Sequence, residues 1–242
     1  MKKYEILPWD TQFFGFGVAK IVPSRLTADS LGKILKQLKK ENISLVYWPS
    51  DINDEKSQEA GRKLGGFLAD SKTTFFADLT TLDLSRFKRD PNVQIYSKSH
   101  PTKEMEDLAI ACGRYSRFHQ DPKIGEAKYR ELYKLWLKKS LAGITAGCFW
   151  VYPNKSGKII GMLSMKIIGD IVDGDLGAVN KSERGKGIGE ALFVETFYWS
   201  LENGYKYMQL ITQGWNKVSC SLYKKFGFEI VKVENFYHFW IN

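Results

Sequence analysis

The spacing of apolar residues along the chain predicts a series of amphipathic helices. Leu31, Ile34, Leu35 and Leu38 recur at the i, i+3, i+4 and i+7 positions that share one helical face. Similar spacing, together with the glycines that follow several of these segments, predicts further helices. They cover residues 55–64, 103–112, 126–141, 189–204 and 216–226.

Short runs rich in β-branched and aromatic residues, bounded by turn residues, predict the strands. They cover residues 44–48, 74–80, 148–152, 158–168, 171–179, 205–212, 229–233 and 235–241. PNKSG at 153–157 is typical of a hairpin turn, whereas the strands on either side of helix 189–204 need a crossover connection. Hairpins combined with a crossover indicate the α/β class, with a mixed (α+β) sheet and helices on both faces. The polar stretch 83–93 predicts a linker.

The composition is that of a globular protein. The 242 residues include 43% hydrophobic and 26% charged side chains, enough for one large domain or two small ones. The three cysteines form no CxxC pair and the three histidines have no ligand-like spacing, so we expect reduced thiols and no metal site. The N-terminus lacks the apolar run of a signal peptide, and no stretch approaches a membrane span, which predicts a cytoplasmic protein without a membrane partner.

The net charge of +9 allows nucleic acid, a membrane surface or a small polyanionic ligand as the binding partner. The sequence contains neither an RNA-binding signature nor zinc-finger spacing. Many lysines also fall on ordinary helix faces, such as Lys33, Lys36, Lys39 and Lys40. We therefore predict no nucleic-acid partner.

A faint internal repeat links the two ends of the chain. Residues 60–79 and 221–241 both give a helix, two basic residues, glycine, phenylalanine and then strands. In the first copy, Gly61 stands where the second copy has Tyr223. Two interpretations remain open: residues 1–85 are a degenerate half-copy without chemistry, or two αβ units resemble each other by chance.

The strongest local signal is the RGKGIG loop at 184–189, between a predicted strand and a predicted helix. Its glycines let the backbone turn tightly, and its N–H groups, with those of the helix start, favour an anion such as pyrophosphate. It lacks the GxxxxGK[ST] pattern of a P-loop, and Glu190 breaks the GxGxxG dinucleotide pattern. The simpler alternative is a glycine-rich turn with two basic surface residues.

The loop and its surroundings resemble a known family. RxxGxG after a strand, within LGAVNKSERGKGIG, resembles the coenzyme A pyrophosphate loop of the GNAT acetyltransferases. A second motif of that family, N-x-x-(small)-x-x-L-Y-x-x-x-G-F, is matched by Asn216, Ser219, Leu222, Tyr223, Gly227 and Phe228. The resemblance covers roughly residues 93–242. It implies a GNAT acyl-CoA N-acyltransferase fold and acetyl-CoA as the cosubstrate, without a metal.

The resemblance also implies roles for individual residues. Backbone N–H groups of Ala178 and Val179 would meet the pantetheine and the thioester carbonyl. Asn216 would contact the coenzyme through its side chain, and Tyr223 would be the general acid for the departing thiolate. The pyrophosphate would be held by Arg184, Gly185, Lys186, Gly187, Ile188 and Gly189.

A narrower resemblance concerns the acceptor. WDTQFFGFGVAKI at 9–21, SRFHQDP at 116–122 and residues 128–141 are similar to segments of dTDP-fucosamine N-acetyltransferases. Those enzymes carry a smaller partial GNAT-like domain before the catalytic one. The similarity therefore implies three parts: an N-terminal domain at 1–85, a linker at 86–92 and a catalytic domain at 93–242.

The acceptor implied is the amine of a nucleotide-linked 4-amino-4,6-dideoxy sugar. Arg117 would pair with its phosphates, and Phe118, Tyr129 or Tyr133 would stack on its base or sugar. His119 is not included among the catalytic residues. Two alternatives stay open: a GNAT acting on a protein N-terminus, a polyamine or an antibiotic, and a non-catalytic acyl-CoA binding module. A homodimer through the C-terminal strands is a further expectation from the family.

Overall fold

A computed structural model of the chain describes residues 3–143 and 147–241. The helices are α1 (Pro8–Phe14), α2 (Ala28–Lys40), α3 (Glu55–Lys63), α4 (Lys103–Cys112), α5 (Arg117–Gln120), α6 (Glu126–Leu141), α7 (Ile188–Glu202) and α8 (Lys217–Lys225). The strands are β1 (Tyr4–Ile6), β2 (Gly17–Ile21), β3 (Ile43–Asp51), β4 (Phe67–Asp78), β5 (Gln94–Ile95), β6 (Cys148–Pro153), β7 (Ile159–Ile168), β8 (Ile171–Val179), β9 (Tyr207–Gln213) and β10 (Glu229–Trp240).

The strands form one mixed sheet in the order β1-β2-β3-β10-β4-β9-β8-β7-β6-β5. One face is covered by α2, α3, α7 and α8, and the other by α1, α4, α5 and α6, each through buried apolar side chains. The predicted mixed sheet with helices on both faces is therefore confirmed. The hairpin at PNKSG is confirmed as well, since β6 and β7 pair antiparallel across it.

Two units of the same element order make up the centre of the sheet. The first unit is β2–α2–β3–α3–β4, and the second is β8–α7–β9–α8–β10. Each begins with two parallel strands joined by a crossover helix. Each then ends with a short helix and a 12-residue strand. The order of elements seen in the faint sequence repeat is thus present in both halves.

The two units exchange their last strands. The second unit's β10 lies between β3 and β4 of the first, and the first unit's β4 pairs with β9 of the second. The sheet is therefore continuous across the predicted linker at 86–92. That linker is itself anchored on α7, because Phe87 is buried and Arg89 forms an ion pair with Glu195. The division of the chain into 1–85 and 93–242 stays a prediction.

The final strand corrects one expectation. Residues 229–233 and 235–241 were expected to be two strands, but Glu229–Trp240 is a single strand. Its register against β4 shifts twice, between Ile230 and Lys232 and between Phe236 and Tyr237. Pairing with neighbours on both sides keeps the strand continuous through these irregularities. The local polar break at Glu234-Asn235 does not reveal that long-range pairing.

Candidate active site

The parallel strands β8 and β9 separate towards their carboxyl ends and leave a cleft. They pair only where Ile171–Asp173 lies beside Tyr207–Gln209, although β8 continues to Val179 and β9 to Gln213. In the first unit, β2 pairs with β3 along most of its length, from Gly17 to Lys20. The described part of the first unit therefore has no corresponding opening.

The strand register decides which backbone groups of β8 face this cleft. Asn180 N–H donates to Ile160 O of the β7 side at 2.8 Å, and successive residues of a strand point their N–H groups to alternate sides. Ala178 N–H is therefore directed at β7, and the donor role predicted for it does not fit. Gly177 and Val179 face the cleft instead, where Gly177 N–H donates to Cys112 Sγ at 3.4 Å. Gly177 was not identified from sequence.

The RGKGIG loop turns from β8 into α7 as predicted. Gly185 and Gly187 have φ angles of +79° and +81°, the left-handed region that glycine adopts without strain. Gly189 lies within ordinary contact of Val179 and Leu222, so the start of α7 packs on the end of β8 and on α8. Ala191 N–H donates to Gly187 O at 2.9 Å, and no described hydrogen bond uses the N–H groups of residues 185–190. These donors remain available to an anion.

Positive charge surrounds the loop. Arg184 is exposed and its Nε donates to Val179 O at 3.2 Å, which holds the side chain across the end of β8. Lys186 forms an ion pair with Glu183 at 2.8 Å. A surface cavity beside the start of α7 is lined by the cations Arg86, Lys88 and Lys186 and by the carboxylates Asp90 and Glu190. An anion bound at the loop therefore meets cations on more than one side.

Tyr223 of α8 reaches the cleft from the other side of the sheet than α4. Its ring packs edge-on against Phe75 and Phe193, with ring centroids 5.3 and 5.5 Å away. Burial raises the pKa of Tyr223 above its usual value, and the negative charge of an ionised Cys112 would raise it further. A hydrogen bond with the Ser219 side chain lowers this pKa. The hydroxyl is thus protonated at neutral pH and lies near the side chain that caps Gly177 N–H.

Asn216 has a structural task at the start of α8. Its Oδ1 accepts Ser219 N–H at 3.3 Å, and its Nδ2 donates to Thr212 Oγ1 at 3.1 Å and to Ser219 Oγ at 2.9 Å. The residue caps the helix that carries Tyr223 and ties it to the end of β9. Its predicted contact with the coenzyme stays a prediction.

The two tyrosines predicted to stack on an acceptor are core residues. Tyr129 is 2% exposed and Tyr133 is 5% exposed. Tyr129 donates a hydrogen bond to Ile110 O, and the ring of Tyr133 lies directly over Gly113. Both side chains hold α4 against α6, so the stacking role predicted for them is corrected to packing. Helical periodicity placed them on one face without showing what covers that face.

Arg117 and Phe118 lie on α5, over the strands β3 and β10. The Arg117 guanidinium lies 4.6 Å from the centre of the Tyr47 ring, 4.5 Å from that of Phe118 and 5.0 Å from that of Phe236. Its Nε is buried without a hydrogen-bond partner among the described residues. This arrangement leaves Arg117 able to bind a ligand, whereas Phe118 is half-buried in an aromatic cluster.

The neighbourhood of Arg117 contains a carboxylate that the sequence did not single out. Asp70 of β4 is 6% exposed, and burial raises its pKa to about 7. The positive charges of Arg117 and Lys72 and a hydrogen bond with Gln213 oppose that rise. No motif identifies Asp70, because its environment is made by segments far away in sequence.

Within the described residues, no cluster of three or more histidine, cysteine or acidic side chains has the arrangement of a metal site. The helices of residues 3–143 and 147–241 include none that combines the length and apolarity of a membrane span.

The family model described as "Acetyltransferase (GNAT) family" matches residues 102–228. No curated protein sequence matches the chain significantly. Among solved structures, a GCN5-related N-acetyltransferase from Sphaerobacter thermophilus superimposes with a TM-score of 0.60 at 13% identity, covering 99% of this chain and 76% of the other.

Two further solved structures share the fold. A tandem GNAT protein from the clavulanic acid biosynthesis pathway gives a TM-score of 0.58 at 12% identity, over 93% of this chain and 75% of the other. A glucosamine N-acetyltransferase region of a fungal multi-domain GH3 β-N-acetylglucosaminidase gives 0.56 at 12% identity, over 98% of this chain and 31% of the other.

Proposed function

This chain belongs to the GNAT family of acetyltransferases, and from that premise we propose that it acetylates the amine of a nucleotide-linked amino sugar. The acetyl donor is acetyl-CoA, and the acceptor is of the dTDP-4-amino-4,6-dideoxyhexose type. One observation carries the proposal: β8 and β9 diverge next to a glycine loop with free N–H groups, and the buried Tyr223 of α8 lies near Cys112, which contacts β8 in the cleft.

In the proposed reaction, residues 184–189 bind the pyrophosphate through free N–H groups at the start of α7. The pantetheine then runs along the open edge of β8, where Val179 N–H faces the cleft. Gly177 N–H takes the thioester carbonyl and stabilises the oxyanion as the carbonyl carbon becomes tetrahedral. Cys112 gives up its hydrogen bond to Gly177 when the acetyl group enters.

The amine attacks the thioester carbon directly, so that a C–N bond forms and the C–S bond breaks. The nitrogen loses its protons in the course of the reaction, and the sulfur gains one from the Tyr223 hydroxyl. A free thiol has a pKa of about 8.5 and tyrosine one of about 10, and burial raises the latter further. Tyr223 therefore donates a strong hydrogen bond to the developing thiolate and completes the proton transfer late.

The choice of acceptor is supported by the N-terminal and 116–122 sequence resemblances and by Arg117. A guanidinium is well suited to phosphate oxygens, and three aromatic rings hold this one in place. The fungal glucosamine N-acetyltransferase region is a protein of the same fold with an amino-sugar acceptor in its description. The fold is thus compatible with an acceptor of this class.

The test is a release assay for the coenzyme A thiol. Acetyl-CoA is mixed with dTDP- and UDP-amino sugars, spermidine and a peptide with a free N-terminus. We expect release with the amino-sugar nucleotides and little with the others. If the thiol is released only with spermidine or the peptide, the proposed acceptor is wrong and that amine takes its place. Binding of acetyl-CoA without thiol release with any amine would indicate a non-catalytic module.

Tyr223→Phe tests the role of the hydroxyl. We expect kcat to fall by roughly 100-fold or more, as for loss of a general acid, with the Kd for acetyl-CoA nearly unchanged. The ring contacts with Phe75 and Phe193 remain in this variant, which keeps α8 in place. Equal turnover by the variant would exclude Tyr223 as the acid.

A further inference from the structure

Asp70 lies one strand away from the cleft. It precedes the region where β4 pairs with β9, and Gly214 N–H, just beyond β9, donates to Ser71 O at 2.7 Å. Neighbouring strands are about 5 Å apart, and the Asp70 carboxyl interacts with the side chain of Gln213, the last residue of β9. Asp70 therefore lies about one strand width from the end of β9, the strand that borders the cleft.

Asp70 faces the side of the sheet that is covered by α4, α5 and α6. Its register partner on β10 is Phe236, and residues directly opposite each other in a sheet project to the same face. The guanidinium of Arg117 lies over that Phe236 ring. Cys112, which meets Gly177 in the cleft, belongs to α4 on this same face.

Unpartnered buried polar atoms are concentrated around Asp70. Its Oδ1 has no hydrogen-bond partner among the described residues, and the same is true of Arg117 Nε and His238 Nε2. Tyr47 links the group, since its ring lies 4.6 Å from the Arg117 guanidinium and 4.8 Å from the His238 ring. Buried polar groups in folded proteins are nearly always paired, so these atoms are donors and acceptors with which a polar ligand can pair.

We propose that Asp70 binds the ammonium group of the acceptor and accepts its proton before the attack on acetyl-CoA. The first unit, which lacks the open cleft, would then supply the acceptor side of the active site through its exchanged strand β4. The proposal rests on the acetyl transfer proposed above, but it does not depend on which amine is the acceptor.

Two protons leave the ammonium nitrogen in this reaction, each by its own route. The ammonium nitrogen gives one proton to the Asp70 carboxylate, which becomes a neutral carboxylic acid, and the free amine attacks the thioester carbon. After the C–N bond forms, Tyr223 gives its hydroxyl proton to the departing sulfur. The nitrogen then gives its second proton to the tyrosine oxygen, which makes Tyr223 neutral again. Asp70 returns its proton to solvent after the amide leaves.

The charges around Asp70 suit this exchange. Arg117 on α5 and Lys72 on β4 favour the carboxylate, while burial disfavours it. Asp10 on α1 also interacts with Arg117, Glu234 on β10 interacts with Lys72, and His238 is hydrogen-bonded to Asp121 at 2.7 Å. The pKa of about 7 that results for Asp70 is near the optimum for a general base at neutral pH.

The test compares Asp70→Asn with a matched control, Asp173→Asn. Asp173 is equally buried, at 5% exposed, but its Oδ1 accepts a hydrogen bond from Gln209 at 3.0 Å. The kcat/KM for the acceptor is measured from pH 5.5 to 9 with dTDP-4-amino-4,6-dideoxygalactose and, separately, with spermidine. The Kd for acetyl-CoA is measured for each variant.

We expect the wild-type kcat/KM to fall about tenfold per pH unit below a pH of about 7. Asp70→Asn should lower it by at least about 100-fold and abolish that inflection, while the Kd for acetyl-CoA stays the same. Asp173→Asn should keep the inflection. Asp70→Glu, which retains a carboxylate, should recover part of the activity together with a pH-dependent limb. An unchanged inflection in Asp70→Asn would overturn the proposal.

A second measurement separates this proposal from the choice of acceptor. In protein carrying ¹³C-labelled aspartate, the Asp70 carboxyl resonance is identified as the one missing in Asp70→Asn. If the amino-sugar nucleotide is not acetylated but spermidine shifts this resonance, the proposed acceptor fails and the role of Asp70 stands. If neither amine shifts it, the role of Asp70 is refuted whatever the turnover.

Discussion

Replacing Asp70 by asparagine should make the protein more stable at alkaline pH. Burial raises the pKa of Asp70 from 3.8 to about 7, so the folded chain binds this proton more tightly than the unfolded chain does. The contribution of Asp70 to stability is therefore greatest at low pH and is lost progressively as the pH rises from about 4 to about 7. Asparagine has no charge to bury and lacks this dependence.

The size of the effect follows from the two pKa values. Each tenfold difference in proton affinity corresponds to about 1.4 kcal/mol, so ionised Asp70 lowers the free energy of unfolding by about 4 kcal/mol above pH 7. At pH 5 the penalty is still below about 2 kcal/mol. The stability gained by Asp70→Asn should therefore grow by about 3 kcal/mol between pH 5 and pH 8.

Urea unfolding of wild type and variant at these two pH values measures that growth directly. The double difference is the stability gained by Asp70→Asn at pH 8 minus the gain at pH 5. An effect of the amide that does not depend on pH cancels in it, and so does the titration of groups that behave alike in wild type and variant. Asp173→Asn serves as the control for burying a neutral amide at this face of the sheet. A double difference below about 0.5 kcal/mol would show that Asp70 is not held in a low-dielectric environment.

Four further substitutions test the site and its support. Gly187→Ala and Gly204→Ala place alanine at φ angles of +81° and +82° at opposite ends of α7, so each variant should lose about 1–2 kcal/mol of stability. Only Gly187→Ala should weaken the binding of coenzyme A, measured by calorimetry. Equal affinities of the two variants would argue against the loop as the phosphate site. Gly113→Ala should destabilise the protein by roughly 1–3 kcal/mol in urea unfolding, because the new methyl group overlaps the ring of Tyr133, and a neutral effect would contradict that packing. Asp175→Asn should lower the unfolding free energy by roughly 2–4 kcal/mol, since the carboxylate accepts hydrogen bonds from an indole and two hydroxyls; a shift of Tm under about 2 °C would be inconsistent with it.

Local regularities in the sequence were reliable guides to local structure. Helices α4 and α6 have the bounds that their apolar spacing predicted, 103–112 and 126–141. Helical periodicity depends on residues three and four apart, which the sequence shows directly. The glycine loop before α7 and the asparagine cap of α8 were identified for the same reason, since both act within one turn of backbone.

Predictions that needed a neighbour from elsewhere in the chain were less successful. Tyr129 and Tyr133 were expected at a substrate surface but are buried between α4 and α6. Ala178 was expected to donate to the coenzyme, but the register with β7 turns its N–H away from the cleft. Periodicity shows which residues share a face of an element, and only packing shows what covers that face.

The sequence by itself determined the α/β class, the position of the glycine loop before α7 and the position of Tyr223 on its short helix, because motif spacing and apolar period are local properties of the chain. The tertiary structure decided the exchange of β4 and β10, the cleft between β8 and β9 and the burial that raises the pKa of Asp70. Each of these depends on strands or charges distant in sequence. The gap between β8 and β9 and the burial of the Asp70 carboxylate exist only in the folded chain, so no local sequence pattern reveals them.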